Sequence, residues 1–274
     1  MKISIVTVCR NSEKHIRTAI ESVLVQTYSY VEYIIVDGQS VDGTVDVIKS
    51  FERRFRETEK QLKWLSEPDQ GLYDAMNKGV RMATGEVVGL LNSDDFYNYP
   101  HSIETVAKVF EEPSIDATFA DVRFVKPDNL DKTVRYYSSA RFHPRRFRWG
   151  FMPAHPTFFV RKQYFEEIGY YKTDYRIAAD YELLIRFLYI NKLKYRYIPL
   201  DMIKMRTGGI STHSLKSSFI INKEDVRACR ENGIYTNFFI VSFKYFRKIF
   251  EFSAVMPVLL CNDGELFRLL RSSQ

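Results

Sequence analysis

Short apolar runs alternate with segments of helical periodicity over the first third of the chain. Each run is bounded by turn residues, which predicts a buried strand, and the runs span residues 3–8, 33–36, 62–65 and 87–91. Between them, apolar residues recur at the spacing of one helix face, which predicts helices over residues 16–24, 44–55 and 73–82. We expect Asn11 or Ser12 to cap the first of these helices. Strands that alternate with helices indicate a parallel sheet with right-handed crossovers.

The second half of the chain has a mixed pattern. It predicts strands over residues 117–125, 133–137, 157–160, 195–198 and 202–205, and helices over residues 102–110, 163–168 and 181–189. This α+β half is expected to pack on the first half in one compact domain that ends near Asn232. The remaining residues, 233–274, form an aromatic and basic segment that is compatible with a helix.

Four carboxylates follow the predicted parallel strands: Asp37, Asp69, Asp94 and Asp95. Because ligands of such sheets bind beyond the carboxyl ends of the strands, we expect these side chains to converge on one rim. Asp94 and Asp95 are adjacent, so they repel each other and lose solvation. A divalent cation would relieve both costs, and oxygen ligands point to Mg²⁺ or Mn²⁺. The alternative is a solvated turn that caps the next helix.

Composition restricts the possible functions of the chain only slightly. The chain has 274 residues, 45% of them hydrophobic, and a formal net charge of +6. That charge suits phosphate-bearing substrates, nucleic acid or an anionic membrane and does not choose among them. Cys9, Cys229 and Cys261 lie far apart, which favours reduced thiols in a cytosolic protein. Neither a secretory signal nor a membrane span is expected from the distribution of apolar residues.

The motifs combine into a family pattern. In chain order they are SIVTVCRN, IIVDGQSVDGT, SEPDQGLYDAMNKG, GLLNSDD, HPTFFVRK, AADYELLIR and GGIS. The chain resembles the family 2 glycosyltransferases of the GT-A fold over roughly residues 2–211. The resemblance implies an α/β fold with a Rossmann-like, mainly parallel central sheet flanked by helices, a mixed α+β acceptor-side half and a helical C-terminal tail. It implies a catalytic domain over residues 1–232 and a tail over residues 233–274.

The implied activity is that of an inverting, metal-dependent hexosyltransferase. It would move a sugar from a nucleotide sugar, with UDP-sugars favoured, to an acceptor hydroxyl in bacterial-type cell-surface polysaccharide or glycolipid assembly. A single base carboxylate suits one direct displacement at the anomeric carbon. The implied partners are the donor and a saccharide or lipid-linked saccharide acceptor, with no nucleic acid partner, and the oligomeric state stays open.

The resemblance also assigns the donor-side residues. Thr7 and Asp37 match positions that hold the base and ribose, and Asp69 matches an acidic position on the nucleotide side. Asp94 is expected near the ribose and the metal, and Asp95 is expected to bind Mn²⁺ or Mg²⁺ and, through it, the diphosphate. The family often has a carboxylate where this chain has Asn92, which leaves the strength of metal dependence open. Each Asp has an alternative role as a local turn residue.

Asp180, in AADYEL, matches the catalytic base of the family. The alternative is a helix N-cap, since residues from 181 onward are predicted to be helical. The small residues Ala178 and Ala179 would leave room for an acceptor. Glu182 is expected on the helix surface or beside the site. His155 would either face the acceptor or be a hydrogen-bonded core histidine.

The segment Gly208-Gly209-Ile210-Ser211 resembles the flexible loop that closes over the diphosphate, and an ordinary turn is the alternative. Arg206 and His213 flank this segment and are candidate contacts of phosphate or metal.

Two segments suggest an anionic membrane surface. Residues 132–149 contain six Lys or Arg and no acid, interleaved with aromatics, and residues 238–252 could lie on a membrane as an amphipathic helix. We therefore expect a cytoplasmic enzyme that is peripheral on the inner face of the membrane. A solvated face, packing on the catalytic domain or a dimer contact are the alternatives.

Two other functions compete with glycosyl transfer. A nucleotidyltransferase on a similar sheet would want a basic loop after the first strand, where this chain has only Cys9-Arg10-Asn11. A non-catalytic membrane- or nucleic-acid-binding module would not require Asp37, Asp94, Asp95 and Asp180 together.

Overall fold

The computed structural model describes residues 1–208 and 215–245, and in the second range it describes side chains from residue 217 onward. The strands are β1 (Ile3–Cys9), β2 (Val31–Asp37), β3 (Gln61–Ser66), β4 (Val87–Leu90), β5 (Phe96–Tyr97), β6 (Ala117–Lys126), β7 (Asn129–Tyr137), β8 (Phe159–Arg161) and β9 (Tyr195–Arg206). The α-helices are α1 (Ile16–Leu24), α2 (Thr44–Arg56), α3 (Leu72–Met82), α4 (Ser102–Phe110), α5 (Gln163–Ile168), α6 (Ala179–Leu184), α7 (Leu215–Glu231) and α8 (Phe238–Ser242). Pro144–Trp149 and His155–Thr157 form 3₁₀ helices.

The strands of the described residues pair in one sheet in the order β3-β2-β1-β4-β8-β6-β9-β5, with β7 paired to β6. The first four strands are all parallel. β8 then pairs antiparallel with both β4 and β6, and so joins the two halves of the sheet. β6 and β9 are parallel to each other, whereas β5 and β7 are antiparallel to their neighbours. The predicted α/β architecture, with a parallel first half and a mixed second half, is confirmed.

Apolar side chains cover both faces of the central strands. β1 is buried at all seven positions. Its Val6 and Val8 pack in the cluster that includes α3, while Ile3 and Ile5 pack in the cluster that includes α1 and α2. Alternate residues of one strand therefore enter two different cores, which explains why β1 reads as a continuous apolar run. Helices on both faces leave the carboxyl ends of the strands as the accessible rim.

The start of α1 differs from the prediction. The residue that precedes the helix is His15, and neither Asn11 nor Ser12 caps it with a side chain. Asn11 instead has a positive φ of 51°, and its side-chain oxygen accepts the backbone N–H of Val41 at 2.9 Å. The polar residues after β1 therefore tie the first loop to the loop before α2, which keeps both loops at the rim.

Two elements of the second half also differ from the prediction. The helix expected over residues 181–189 begins at Ala179 and changes to a π-helix over Ile185–Ile190. The two strands expected over residues 195–198 and 202–205 are one strand, β9, which pairs along β6 with register shifts between Phe119 and Val122. The shifts accommodate the middle of β9 without ending the strand.

The C-terminal segment is described only to residue 245. Within it, α8 buries Val241 completely, and the Thr236 hydroxyl donates to the Arg148 carbonyl at 2.6 Å. Over its described residues, the predicted amphipathic segment thus packs on the rest of the structure. Residues 246–252 of this segment lie outside the described residues. None of the helices in residues 1–208 and 215–245 is long and apolar enough to cross a membrane. The division at residue 232 stays a prediction.

Candidate active site

Asp37 and Asp69 meet at the end of β2. Asp37 is fully buried and accepts the Ser40 backbone N–H at 3.0 Å and the Ser66 hydroxyl at 2.6 Å. A carboxylate oxygen of Asp69 lies only 2.1 Å from where a Cβ on Gly38 would stand, so this approach requires glycine at position 38. Asp69 also accepts the Gly71 N–H at 2.9 Å, the Asx-type turn named as its alternative. The two carboxylates are therefore held at the rim by their own turns.

Thr7 does not reach the rim. Its side chain is fully buried, and its hydroxyl accepts a hydrogen bond from the Tyr33 hydroxyl at 2.9 Å. A direct contact between Thr7 and a nucleotide would require this bond to break. Cys9, two residues later on the same strand, instead stands next to Asp37, with its Sγ 3.5 Å from Asp37 Oδ1.

The NSDD motif follows β4 and is organised by Arg206. Asp95 is 1% exposed, and Asn92 donates to it from Nδ2 at 2.9 Å. The Arg206 guanidinium donates to the Asp94 carbonyl and, at 3.1 Å, to the Thr18 hydroxyl of α1. Ser93 and Ser12 share a hydrogen bond of 3.0 Å, which joins the motif to the loop after β1. The loops that follow β1 and β4 are therefore in direct contact, while the convergence of all four carboxylates stays a prediction.

The electrostatics of the motif fit a cation. Burial, followed by the charge of Asp94, raises the pKa of Asp95 well above its usual range. Asn92 and Arg206 lower the pKa of Asp95 in turn, and burial lowers the pKa of Arg206 itself. Within the described residues, no three His, Cys, Asp or Glu side chains are grouped to hold a metal. Asp94 and Asp95 are the residues of this motif that could hold a divalent ion, and two carboxylates suit Mg²⁺ or Mn²⁺.

Asp180 lies in the first turn of α6, within an aromatic pocket. The residue preceding the helix is Ala178, so the N-cap alternative for Asp180 is wrong; its Oδ1 accepts the Tyr181 N–H at 2.8 Å. Burial, followed by the negative charge of Asp180, raises the pKa values of Tyr73 and Tyr171, whose rings are stacked at 5.9 Å between centroids. Burial raises the pKa of Asp180 itself to about 6. A carboxyl with this pKa can take up a proton near neutral pH.

Three charged residues beside Asp180 were not identified from the sequence. Glu224 of α7 accepts the backbone N–H groups of Arg176, Ile177 and Ala178 at 2.8, 2.9 and 2.9 Å. Its neighbour Asp225 is 2% exposed and pairs with Lys244 at 2.5 Å. Burial, and then the charges of Asp180 and Glu224, raise the pKa of Asp225, whereas Lys244 lowers the pKa values of both Asp180 and Asp225. The sequence of α7 does not single out Glu224 or Asp225. Their role depends on α6, which ends thirty residues or more before α7 begins.

His155 and Glu182 are core residues. His155 is 6% exposed, its Nε2 is 2.8 Å from the Tyr171 hydroxyl, and burial lowers its pKa to about 4. The core alternative named for His155 is therefore the one that the structure favours. Glu182 is fully buried and pairs with Arg186 at 2.8 Å and Lys172 at 2.9 Å, so the prediction of a surface position was wrong.

The loop expected to close over the diphosphate is described only at its start. Gly208 has a φ of 108°, a conformation that favours glycine. Gly209, Ile210, Ser211 and His213 lie outside the described residues.

Comparison with known proteins decides the family. Residues 4–169 match the model of glycosyl transferase family 2. The chain belongs to this family. It is 31% identical to an uncharacterized glycosyltransferase of Mycobacterium tuberculosis (strain CDC 1551 / Oshkosh) over 186 residues, 67% of this chain and 68% of that protein. It is 29% identical to the PGL/p-HBAD biosynthesis glycosyltransferase of Mycobacterium bovis (strain BCG / Pasteur 1173P2) over 204 residues, 73% of this chain and 75% of that protein.

Solved structures confirm the fold of this family 2 glycosyltransferase. Residues 1–349 of S. aureus TarS in complex with UDP-GlcNAc superpose with a TM-score of 0.63 at 17% identity, over 83% of this chain and 66% of that chain. The mannosyltransferase PcManGT from Pyrobaculum calidifontis, in complex with GDP-Man and Mn²⁺, gives 0.61 at 15% identity, over 82% and 64%. The chain thus spans slightly less than two thirds of these structures. As a family 2 member, the protein is a glycosyltransferase that uses a nucleotide sugar.

Proposed function

We propose that this glycosyltransferase moves a sugar from a UDP-sugar to a hydroxyl of a saccharide or lipid-linked saccharide, with inversion, and that Asp180 is the general base. The observation that carries the proposal is the pocket of Asp180. It holds a carboxyl whose pKa burial raises to about 6, behind Ala178 and Ala179, at the start of a helix. Ala178 and Ala179 pack in the core, so the room for an acceptor that was expected beside them is not provided by these two residues.

The proposed step is one displacement. Asp180 takes the proton of the acceptor hydroxyl as its oxygen bonds to the anomeric carbon. The bond from that carbon to the diphosphate breaks in the same step, and the nucleoside diphosphate leaves with the electron pair. Attack from the face opposite the leaving group inverts the anomeric centre, by analogy with inverting glycosidases.

The donor is proposed to lie along the rim of the first four strands. Asp37 and Asp69 would hold the base and ribose side, and Asp94 the ribose and metal. Asp95 would bind Mn²⁺ or Mg²⁺, which supplies positive charge to the departing diphosphate. Adjacent carboxyls of which one, Asp95, is buried and has a raised pKa support this role, because a cation would relieve both the burial cost and the repulsion from Asp94. The Mn²⁺ in the PcManGT complex is consistent with it. Thr7 would contribute only indirectly, because its buried hydrogen bond with Tyr33 stabilises β1.

Three further features belong to the same proposal. TarS in complex with UDP and with UDP-GlcNAc supports a uridine donor, while the GDP-Man complex of PcManGT marks GDP as the alternative. The relative named for PGL/p-HBAD biosynthesis supports a role in glycolipid or polysaccharide assembly. Residues 1–232 are proposed as the catalytic domain of a cytoplasmic enzyme.

A panel of nucleotide sugars tests the function. The protein is incubated with UDP-, GDP-, dTDP- and CDP-sugars, with and without Mn²⁺, and the release of free nucleoside diphosphate is measured. We expect release from a UDP-sugar that depends on Mn²⁺ and is lost in Asp180→Asn. Release from a GDP-sugar in preference would contradict the donor. Release of pyrophosphate from a nucleoside triphosphate would favour the nucleotidyltransferase alternative.

A further inference from the structure

Exposed aromatic side chains from two distant parts of the chain lie side by side. Phe239, Phe243 and Trp149 are 84%, 54% and 37% exposed. Phe239 and Phe243 are four residues apart on α8 and its C-cap, so they share one helix face. The ring of Phe243 contacts that of Trp149, at 5.6 Å between centroids. We call these three residues the aromatic ridge.

The aromatic ridge is held rigidly. Val241 of α8 is fully buried, and its carbonyl lies 2.8 Å from where a Cβ on Gly150 would stand. The hydrogen bond from Thr236 to the Arg148 carbonyl fixes the start of α8 to the same 3₁₀ helix. Three exposed aromatic rings on a fixed framework cannot turn inward to escape water, so the exposure is built into the fold.

Arginines border the aromatic ridge. Arg145, Arg146 and Arg148, the arginine row, are exposed on the 3₁₀ helix that ends at Trp149, and the Arg148 guanidinium lies 5.4 Å from the Trp149 ring. No carboxylate in residues 1–208 or 217–245 forms an ion pair with the arginine row. Unneutralised positive charge beside exposed Trp and Phe matches the interface of a bilayer that contains anionic lipid.

We propose that the aromatic ridge and the arginine row together dock the enzyme on an anionic lipid bilayer. The arginines bind the headgroups, and the aromatic rings enter the boundary between headgroups and acyl chains. This inference goes beyond the transfer reaction and does not depend on which sugar or acceptor is used.

Vesicle sedimentation of the full chain tests the docking surface. Vesicles of phosphatidylcholine alone are compared with vesicles that contain one quarter phosphatidylglycerol, at low and at high salt. Each basic residue near an anionic surface strengthens binding about fivefold, so R145Q/R146Q/R148Q is expected to weaken binding to the anionic vesicles about a hundredfold. F239S/F243S is expected to weaken binding to the anionic vesicles as well. Because this loss comes from apolar contacts, it is expected at both low and high salt.

A matched control comes from α2, which carries three arginines in its last turns. R53Q/R54Q/R56Q makes the same change in net charge at a distant surface and is expected to keep most of the binding. The proposal is overturned if this control loses as much as the arginine-row variant, or if wild type binds neutral and anionic vesicles equally or neither. It is also overturned if F239S/F243S binds like wild type. Thermal unfolding of each variant shows that it is folded.

A second, independent observation concerns the backbone before Asp180. Glu224 accepts three consecutive N–H groups, those of residues 176–178, while the Tyr73 hydroxyl donates to the Ile177 carbonyl. The segment that leads into α6 is thus held from both sides. Ala178 supplies no side-chain cap, and Glu224 binds the residues before the helix, so it fixes where α6 begins.

We infer that Glu224 is a positioning residue for the base, an inference that rests on the proposed role of Asp180. Glu224→Ala is expected to lower kcat by about tenfold or more with a nearly unchanged KM for the donor, because displacement of the base by an ångström is costly. Glu224→Gln keeps one acceptor oxygen and is expected to restore part of kcat.

Glu231→Ala provides the control on the same helix. Glu231 pairs with Arg227 and Lys172 and accepts the Tyr175 hydroxyl, but the backbone N–H groups of residues 176–178 donate to Glu224. Its loss is expected to lower the unfolding temperature without lowering kcat. Unchanged kcat in Glu224→Ala, or an equal loss of kcat in Glu231→Ala, overturns the positioning role. If Asp180→Asn itself transfers sugar normally, the failure lies in the proposed base and not in Glu224.

Discussion

Asp180 combines two demands that usually conflict. A general base must be ionised to accept a proton, yet burial favours the neutral carboxyl and raises the pKa of Asp180 to about 6. The higher pKa makes the ionised form a stronger base, and at pH 7 most of it is still ionised. The Tyr181 N–H stabilises that ionised form from one side.

The first prediction is a titration of activity by Asp180. The logarithm of kcat/KM is expected to fall with a slope of about one per pH unit below about pH 6, since only ionised Asp180 accepts the proton. Asp180→Asn should lose transfer by about a hundredfold or more and lose this acidic limb. Because ionisation of the buried carboxyl destabilises the fold above its unfolded pKa, the Asn variant should unfold at a higher temperature than wild type at pH 7.5. A variant with near wild-type transfer would place the base elsewhere.

The second prediction uses the charges that face Asp180. Beyond burial, Glu224 of α7 raises its pKa and Lys244 after α8 lowers it, while the nearby hydroxyls of Tyr73 and Tyr171 are neutral at pH 7. The charge of Asp180 raises the pKa of Asp225, and repulsion between two carboxylates is mutual. Asp225→Asn should therefore shift the acidic limb of kcat/KM to lower pH by about half a unit or more, and Lys244→Gln should shift it to higher pH. The opposite signs distinguish an electrostatic effect from general damage. Shifts of the same sign would contradict the arrangement.

Residue identity alone predicted some of these roles and not others. Asp37, Asp69, Asp94, Asp95 and Asp180 stand out because they follow strands or open a helix. Asp225 and Glu224 do not, since a helix sequence gives no sign of which distant backbone it contacts. Thr7 was expected at the nucleotide, but it lies two residues inside the end of β1, where it is fully buried and bonded to Tyr33, whereas Cys9 on the same face reaches Asp37.

At the scale of elements, α3 of the first half is bonded to Tyr171 of the second half. The Asn77 side chain donates to the Tyr171 carbonyl at 2.8 Å and accepts the Tyr171 N–H at 2.9 Å. Asn77 is 4% exposed, so both hydrogen bonds are made away from water. Tyr171 in turn stacks on Tyr73, and both rings face Asp180.

The third prediction is the stability that Asn77 provides. Asn77→Ala leaves a buried N–H and a buried carbonyl unpaired and is expected to lower the free energy of unfolding by about 2–4 kcal/mol. Urea denaturation measures the change. Asn129→Ala, at an exposed position at the start of β7, should change it by less than about 0.5 kcal/mol. Equal effects at the two positions would show that the Asn77 hydrogen bonds contribute little.

Elements with strong apolar periodicity were predicted more accurately than elements with weak periodicity. The four parallel strands and α4 were predicted closely, because strong apolar patterns coincide with clear turn residues. The π-helix at Ile185–Ile190 and the continuity of β9 through Pro199 were not, since both depend on packing between segments far apart in sequence. Which strands lie next to each other beyond β4 was likewise beyond any local pattern.

For the whole molecule, the two halves are expected to act separately on donor and acceptor. UDP with Mn²⁺ should raise the unfolding temperature of wild type, because a ligand that binds only the folded state stabilises it. The fourth prediction is that Asp180→Asn keeps this increase whereas Asp95→Asn loses most of it. Differential scanning fluorimetry, with EDTA in place of Mn²⁺ as a control, measures both. An increase in Asp95→Asn as large as in wild type would remove Asp95 from donor binding.

The pairing of β5 with β9 has a consequence for how the chain folds as it is synthesised. β1 to β4 are made of neighbouring βαβ units and can pair as soon as residue 90 has emerged, since domains form from the N-terminus during synthesis. β5 has its partner in β9, and Arg206, which donates to the Asp94 carbonyl, is the last residue of that strand. The acidic motif therefore acquires its final shape only after more than a hundred further residues have been added. A nascent chain that stops before β9 would carry a nearly complete parallel sheet and an unfinished diphosphate site.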